Sequence, residues 1–206
     1  MTKDNLNYFS SSEHGAVQRF KEFRDRAVKP LAKLLSGLGI SADILSYVGL
    51  LSLLGFIIFV VESPRFAVLF LLLHVTLDAL DGPVARVSGN DGNSGAFTDM
   101  FVDHTGIVIV ILTLMYYNLL NPILGAIYVY LYTIMIVFVV VLNSLDISPK
   151  FVLRTKYLVY LLYAYFAFTQ INYFTEAVAL FSISILPFVF RDYISLKRYF
   201  RNEAKR

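Results

Sequence analysis

Long apolar runs separated by short polar breaks fill most of this chain. The runs fall at 42–61, 66–87, 95–116, 122–142, 152–169 and 173–192, each near the roughly 20 residues that carry a helix across a bilayer. They predict six transmembrane helices. Hydrocarbon admits only helices or closed barrels, and these runs are too long for barrel strands. The breaks are Glu62 to Arg65, Ser88 to Ser94, Tyr117 to Asn121, Asn143 to Phe151 and Gln170 to Asn172. Ahead of the first run the pattern changes. From about Glu13 to Leu38, apolar Val17, Phe20, Ala27, Leu31, Leu34, Leu35 and Leu38 recur at helical spacing. Arg19, Lys21, Arg24, Arg26, Lys29 and Lys33 fill much of the remainder. This predicts an amphipathic helix lying in the interface against anionic lipid. Pro30 is expected to kink or divide it, and Gly37 and Gly39 to end it.

The expected organisation is therefore an N-terminal segment over 1–40, a six-helix domain over 41–192 and a basic tail over 193–206. The polar stretch Met1 to Ser12 does not read as a cleavable signal peptide. With 206 residues, one domain is expected. Hydrophobic residues make up 57%, charged residues 16%, and the mean hydropathy is +0.65, which excludes an ordinary soluble domain. There is no cysteine, so a disulfide framework and a thiolate metal site are excluded too. The net charge of +3 is mild, but its distribution is not. With the N-terminus inside, six crossings put 17 of the 18 Lys and Arg on the cytoplasmic side, and only Arg65 opposite. That is the asymmetry of the positive-inside rule. It predicts a multi-pass protein of the cell membrane with both termini on the cytoplasmic side. Many of the 14 tyrosines fall near span ends, as an aromatic belt would.

One stretch does not fit a purely structural reading. It runs Asp78-Ala79-Leu80-Asp81-Gly82-Pro83-Val84-Ala85-Arg86 and continues to Gly95, Asp99 and Asp103. Helical spacing puts Asp78 with Asp81, and Asp99 with Asp103, on shared faces. Two helices joined by the short loop could aim both pairs at one spot. A lone Asp at a membrane helix centre costs roughly 2.5–3.5 kcal/mol, and four together repel. A divalent cation relieves both problems. The donors are hard oxygens, which favours Mg²⁺ or Mn²⁺ over Zn²⁺. Clustered carboxylates beside Arg86, whose planar fork suits phosphate, point to phosphoryl chemistry. Pro83 should bend its helix, and Gly82, Ala85 and Gly95 permit close approach.

The same residues carry a resemblance. The spacing D-x2-D-G-x2-A-R-x8-G-x3-D-x3-D resembles the signature of the class I CDP-alcohol phosphotransferases (CDP-alcohol phosphatidyltransferases) at every fixed position. The resemblance implies an all-α integral membrane enzyme of phospholipid biosynthesis. It implies transfer of the phosphoryl-alcohol part of a CDP-alcohol to an acceptor hydroxyl, with release of CMP. The donor would be CDP-diacylglycerol or a CDP-archaeal lipid. Asp78, Asp81 and Asp99 would ligate metal, with Asp78 and Asp99 shared between two ions of Mg²⁺ or Mn²⁺. Asp103 would complete the second site and act as general base. Gly82, Ala85 and Gly95 would pack near the cytidine and Arg86 near the diphosphate. Where the family tends to have Pro-Asn before the first span, this chain has Ala42-Asp43, so Asp43 is either a nucleotide contact or a helix cap. A homodimer is also implied, and no nucleic-acid partner is expected.

The acceptor is less defined. Arg154 and Lys156 open the fifth run and Arg191 closes the sixth, so they are candidates for an acceptor phosphate. Lys197 and Arg198 read as contacts to lipid headgroups. Uncharged acceptors such as serine or an aminoalcohol stay open. His74 and His104 read as hydrogen-bonded structural groups rather than ligands, and Asn143, Asp146 and Asn172 as helix-end residues. The competing classes are a cation or proton transporter with intramembrane carboxylates, and an inactive lipid-binding relative.

Overall fold

The computed structural model describes residues 28–89, 92–147, 149 and 151–203. All regular structure among them is helical. Helix α1 (Ala42–Phe59) starts at Ser41, whose side chain accepts the Ile44 N–H at 3.3 Å. Asp43 sits in the first turn, where a carboxylate favours the helix dipole. Helix α2 (Pro64–Ser88) begins on a proline, which needs no N–H there, and runs helical through Pro83. It ends at Gly89, whose φ of 71° few side chains tolerate. Helices α3 (Asn93–Tyr116) and α4 (Pro122–Ser144) follow. Asn121 caps α4 by accepting the Ile123 and Leu124 N–H groups. Helices α5 (Lys156–Thr169) and α6 (Phe174–Glu203) complete the bundle.

Five of these, α1, α2, α3, α4 and α6, are long and apolar enough to cross a membrane. The protein is an all-α integral membrane protein. Helix α5 departs from the expected run at 152–169. It has 14 residues and is preceded by non-helical chain over 151–155. Non-helical backbone at depth is tolerated where protein covers it, and Val152 and Thr155 are buried. The break leaves Arg154 half-buried in non-helical chain and sets Lys156, buried, at the first position of α5. Helix α6 departs the other way: it continues past 192 to Glu203 and absorbs most of the expected tail.

Of the amphipathic segment, only its last part lies within the described residues. It is helical over 28–37, Pro30 included. One side docks on the bundle, where Ala32 is fully buried and packs with Leu45, Leu80 and Val84; Lys29 and Lys33 are exposed, and so are the apolar Leu31, Leu34 and Leu38. Gly39, at φ 79°, ends it, with the Ile40 N–H donating back to the Leu35 carbonyl at 3.0 Å.

Helix α1 packs along α2, α4 along α6, and α3 bridges α1 and α4. Gly55 and Gly125 allow the close approaches: a Cβ would meet the Phe70 ring at 2.3 Å and Met115 Sδ at 2.5 Å. The tyrosines are not all a belt. Tyr128, Tyr132, Tyr160 and Tyr163 are buried in the core. Buried hydroxyls need partners, and Tyr163 donates to the Val60 carbonyl at 2.9 Å while Tyr128 and Thr155 share a hydrogen bond at 2.8 Å. Outward faces carry Leu51, Leu54, Ile58, Leu69, Leu72 and Ile183, a surface suited to lipid.

Candidate active site

The motif straddles the α2–α3 turn, so both helices deliver carboxylates to one end of the bundle. Asp78, Asp99 and Asp103 each offer one oxygen, and the three lie within 4.8 Å of one another. Two oxygens on one Mg²⁺ stand at most about 4.2 Å apart, since each bond is about 2.1 Å. Only a small closing motion separates this arrangement from a coordination shell. Asp78 Oδ1 is buried and has no hydrogen-bond partner among the described residues. An orphaned carboxylate oxygen beside two further carboxylates fits a divalent cation.

Asp81 is not one of these three. It is buried, and its Oδ2 accepts the Ser46 hydroxyl of α1 at 2.6 Å. So three of the four motif carboxylates converge, and the fourth ties α2 to α1. In the sequence Ser46 is the hydroxyl that follows Ala42-Asp43, where the family this chain resembles tends to carry a Thr or Ser. Its role depends on how α1 and α2 pack, which a one-dimensional pattern does not carry.

Lys156 is the other residue that the pattern undersold. It is 2% exposed, its Nζ donates to Asp103 Oδ1, and it lies 3.6 Å from Asp78 Oδ2. Its ammonium also sits 4.6 Å over the Tyr157 ring. By sequence it is a candidate for an acceptor phosphate; in the structure its ammonium pairs with two of the carboxylates. Arg154 is half-buried and lines a cleft with Met100, Asp103, His104, Tyr132 and Ile136. Arg191 is committed elsewhere. Its guanidinium pairs with buried Asp192 at 2.7 Å and donates to the Phe151 carbonyl at 3.0 Å. It thereby pins the chain that leads to Arg154 and Lys156.

The other candidates line the same end. Gly82 and Gly95 are half-buried, Ala85 is buried, and Arg86 lies two turns past Asp78 in the last turn of α2. Asp43 is exposed, and Ser41 rather than Asp43 caps α1. Both histidines make hydrogen-bond contacts within the bundle, and His104 also lines the cleft. His74 is buried, with Nδ1 3.0 Å from the Gly49 carbonyl, and its Nε2 faces Gly106. His104 Nε2 lies 3.0 Å from Thr133 Oγ1. The Thr133 hydroxyl donates to the Val129 carbonyl at 2.7 Å, so the His104 N–H is the donor in that pair.

The arrangement is a buried anionic centre with a lysine, opening beside an arginine-lined cleft. A family model for CDP-alcohol phosphatidyltransferase matches residues 39–188, most of the chain. The chain belongs to that family. Comparison with curated proteins gives no match. As a CDP-alcohol phosphatidyltransferase it is a membrane transferase of phospholipid synthesis, with a CDP-alcohol donor and an alcohol acceptor. The family uses divalent metal, and the Asp78–Asp99–Asp103 cluster is where this CDP-alcohol phosphatidyltransferase could hold it. The match spans α1 through the first half of α6, so the convergence of α2, α3 and α5 falls inside it.

Proposed function

We propose that this protein transfers the phosphoryl-alcohol group of CDP-diacylglycerol or a CDP-archaeal lipid to the hydroxyl of a small polar acceptor. The observation that carries this reading is the convergence of Asp78, Asp99 and Asp103 from two helices, within the family match. Those three residues would hold Mg²⁺ or Mn²⁺, with Asp81 completing a two-ion set from its place beside Ser46. When bound, the ions neutralise the diphosphate oxygens and the charge that develops on the departing CMP. Asp103 accepts the proton of the acceptor hydroxyl. The acceptor oxygen bonds to the phosphorus that carries the lipid alcohol, the bond from that phosphorus to the CMP oxygen breaks, and CMP leaves. Arg86 holds the diphosphate, and Gly82, Ala85 and Gly95 leave room for the cytidine, with Asp43 at the rim.

Asp103 lines the cleft that Arg154 also lines, which supports that cleft as the acceptor's place. Arg154 on its wall favours a phosphorylated alcohol, with Lys156, two residues on, a further candidate for the same phosphate. Arg191 serves this cleft by holding the Phe151 carbonyl. We read the functional unit as a homodimer with the site on the cytoplasmic side of the cell membrane.

The test is CMP release by the purified protein. CDP-diacylglycerol and CDP-archaeol are offered with glycerol 3-phosphate, inositol phosphate, serine and an aminoalcohol, each with Mg²⁺ or Mn²⁺. Release with at least one pair is expected, and Asp103→Asn should lower it by about 10²–10⁴-fold, the usual worth of a positioned base. Release that survives Asp103→Asn would remove the base assignment. No release with any pair would return the carboxylates to the transporter or inactive-relative readings.

A further inference from the structure

Lys156 occupies an unusual place. A buried ammonium needs anionic partners, and its partners are two of the three carboxylates that would hold metal. It donates to Asp103 Oδ1, on the residue that must take the acceptor's proton. It lies against Asp78, whose other oxygen is the buried orphan. An ammonium held against these carboxylates opposes a divalent cation bound by them, because like charges a few ångströms apart repel in a weakly screened interior. An Asp103 carboxylate paired with Lys156 is also a weaker proton acceptor than a free one. The local chain offers a way out. Lys156 is the first residue of α5, preceded by the non-helical stretch 151–155, so its long side chain hangs from a helix end. Arg154, two residues earlier, already lines the cleft beside Asp103.

We propose that Lys156 is a resident counter-ion of the metal site, which an entering divalent cation displaces from Asp78 and Asp103. In the metal-free protein it cancels part of the negative charge that would otherwise strain the bundle. On loading it gives up both carboxylates, which frees Asp103 for proton transfer and leaves an ammonium beside the cleft. Lys156 is thus a positioning residue that couples metal loading to a competent Asp103. The inference rests on the metal reading above.

The experiment is a Mn²⁺ titration of the detergent-solubilised full chain, followed by the electron paramagnetic resonance of free Mn²⁺. Lys156→Met should bind Mn²⁺ at least about tenfold more tightly than wild type, since no resident cation has to leave. A merely structural lysine would leave affinity unchanged or lower it. Amine labelling of the wild type, read at the Lys156 peptide by mass spectrometry, gives a second measure that needs no lysine variant. Labelling should be slow without Mn²⁺ and accelerate at saturating Mn²⁺, and Asp99→Asn should abolish the acceleration. Equal Mn²⁺ affinity in wild type and Lys156→Met, or labelling indifferent to Mn²⁺, would overturn the inference even with normal CMP release. Tighter binding in Lys156→Met, with no CMP release by the wild-type protein, would uphold it and count against the reaction instead. Failure of both proteins to bind Mn²⁺ would overturn the inference and the metal reading together.

Discussion

Single contacts decide how much of this bundle is committed to the site. Ser46 gives Asp81 a 2.6 Å hydrogen bond in a buried setting. Ser46→Ala leaves that carboxylate oxygen without its donor, at about 1–3 kcal/mol. The expected outcome is an earlier midpoint in SDS-induced unfolding of the micelle-bound protein, and an unchanged midpoint would show that water or metal replaces the hydroxyl. Gly106 makes a second contact of this kind. A Cβ there would meet His74 Nε2 at 2.6 Å and Cε1 at 2.9 Å. His74 cannot swing away freely, since its Nδ1 is bound at the Gly49 carbonyl and its ring lies edge-on to Tyr160. Gly106→Ala should therefore cost about 1–3 kcal/mol by overpacking. Gly37→Ala is the control: a Cβ there meets nothing within 4 Å, and its effect should stay within about 0.5 kcal/mol. Equal unfolding midpoints for the two glycine variants would refute the packing account.

At the scale of elements, helix α6 and the 151–155 stretch act as one unit through Arg191. The guanidinium bonds Asp192 and the Phe151 carbonyl, and Asp192 is 1% exposed. Arg191 itself is partly exposed, so losing it should cost between the roughly 1 kcal/mol of a surface pair and the roughly 3–5 kcal/mol of a buried one. Arg191→Met should raise amide exchange over 151–155 while α1 keeps its protection. Adding Asp192→Asn should recover part of the stability by removing the stranded charge, as a double-mutant cycle would show. This contact explains where sequence reading stops. Apolar runs located α1 to α4 well, because a bilayer-length helix writes itself as uninterrupted hydrophobicity. The same rule overextended the fifth run, whose first residues are apolar enough for a span yet fold as covered non-helical chain. It stopped the sixth run too early, since a helix leaving the hydrocarbon keeps its hydrogen bonds while its residues turn polar. Motif spacing placed Asp78, Asp99 and Asp103 together because both pairs obey helical periodicity across one short turn. It could not place Asp81 on Ser46 or Lys156 on Asp103, since those pairings join helices far apart in sequence and depend on which faces meet.

The whole molecule adds a constraint that neither residues nor helices impose: the two ends of the bundle differ. At one end Asn172 donates to the Leu119 carbonyl at 2.7 Å and the Asn121 N–H meets Thr175 at 3.1 Å, all uncharged contacts. The other end gathers the carboxylates, Arg86, Arg154, Lys156 and Arg191. A bilayer reads this difference, because basic flanks resist translocation. The carboxylate end should therefore face the compartment where a soluble nucleotide product can leave. The chain has no cysteine, so single introduced thiols report the orientation without background. Ser88 is exposed at the carboxylate end, and Glu62 is exposed in the α1–α2 turn at the opposite end. In inside-out bacterial vesicles, a membrane-impermeant maleimide should label Ser88→Cys and spare Glu62→Cys; right-side-out vesicles should reverse the pattern. If Ser88→Cys labels only from outside, the positive charges do not set the topology. The carboxylates would then open away from the nucleotide pool, and a transferase that releases CMP into the cytoplasm could not work in that orientation.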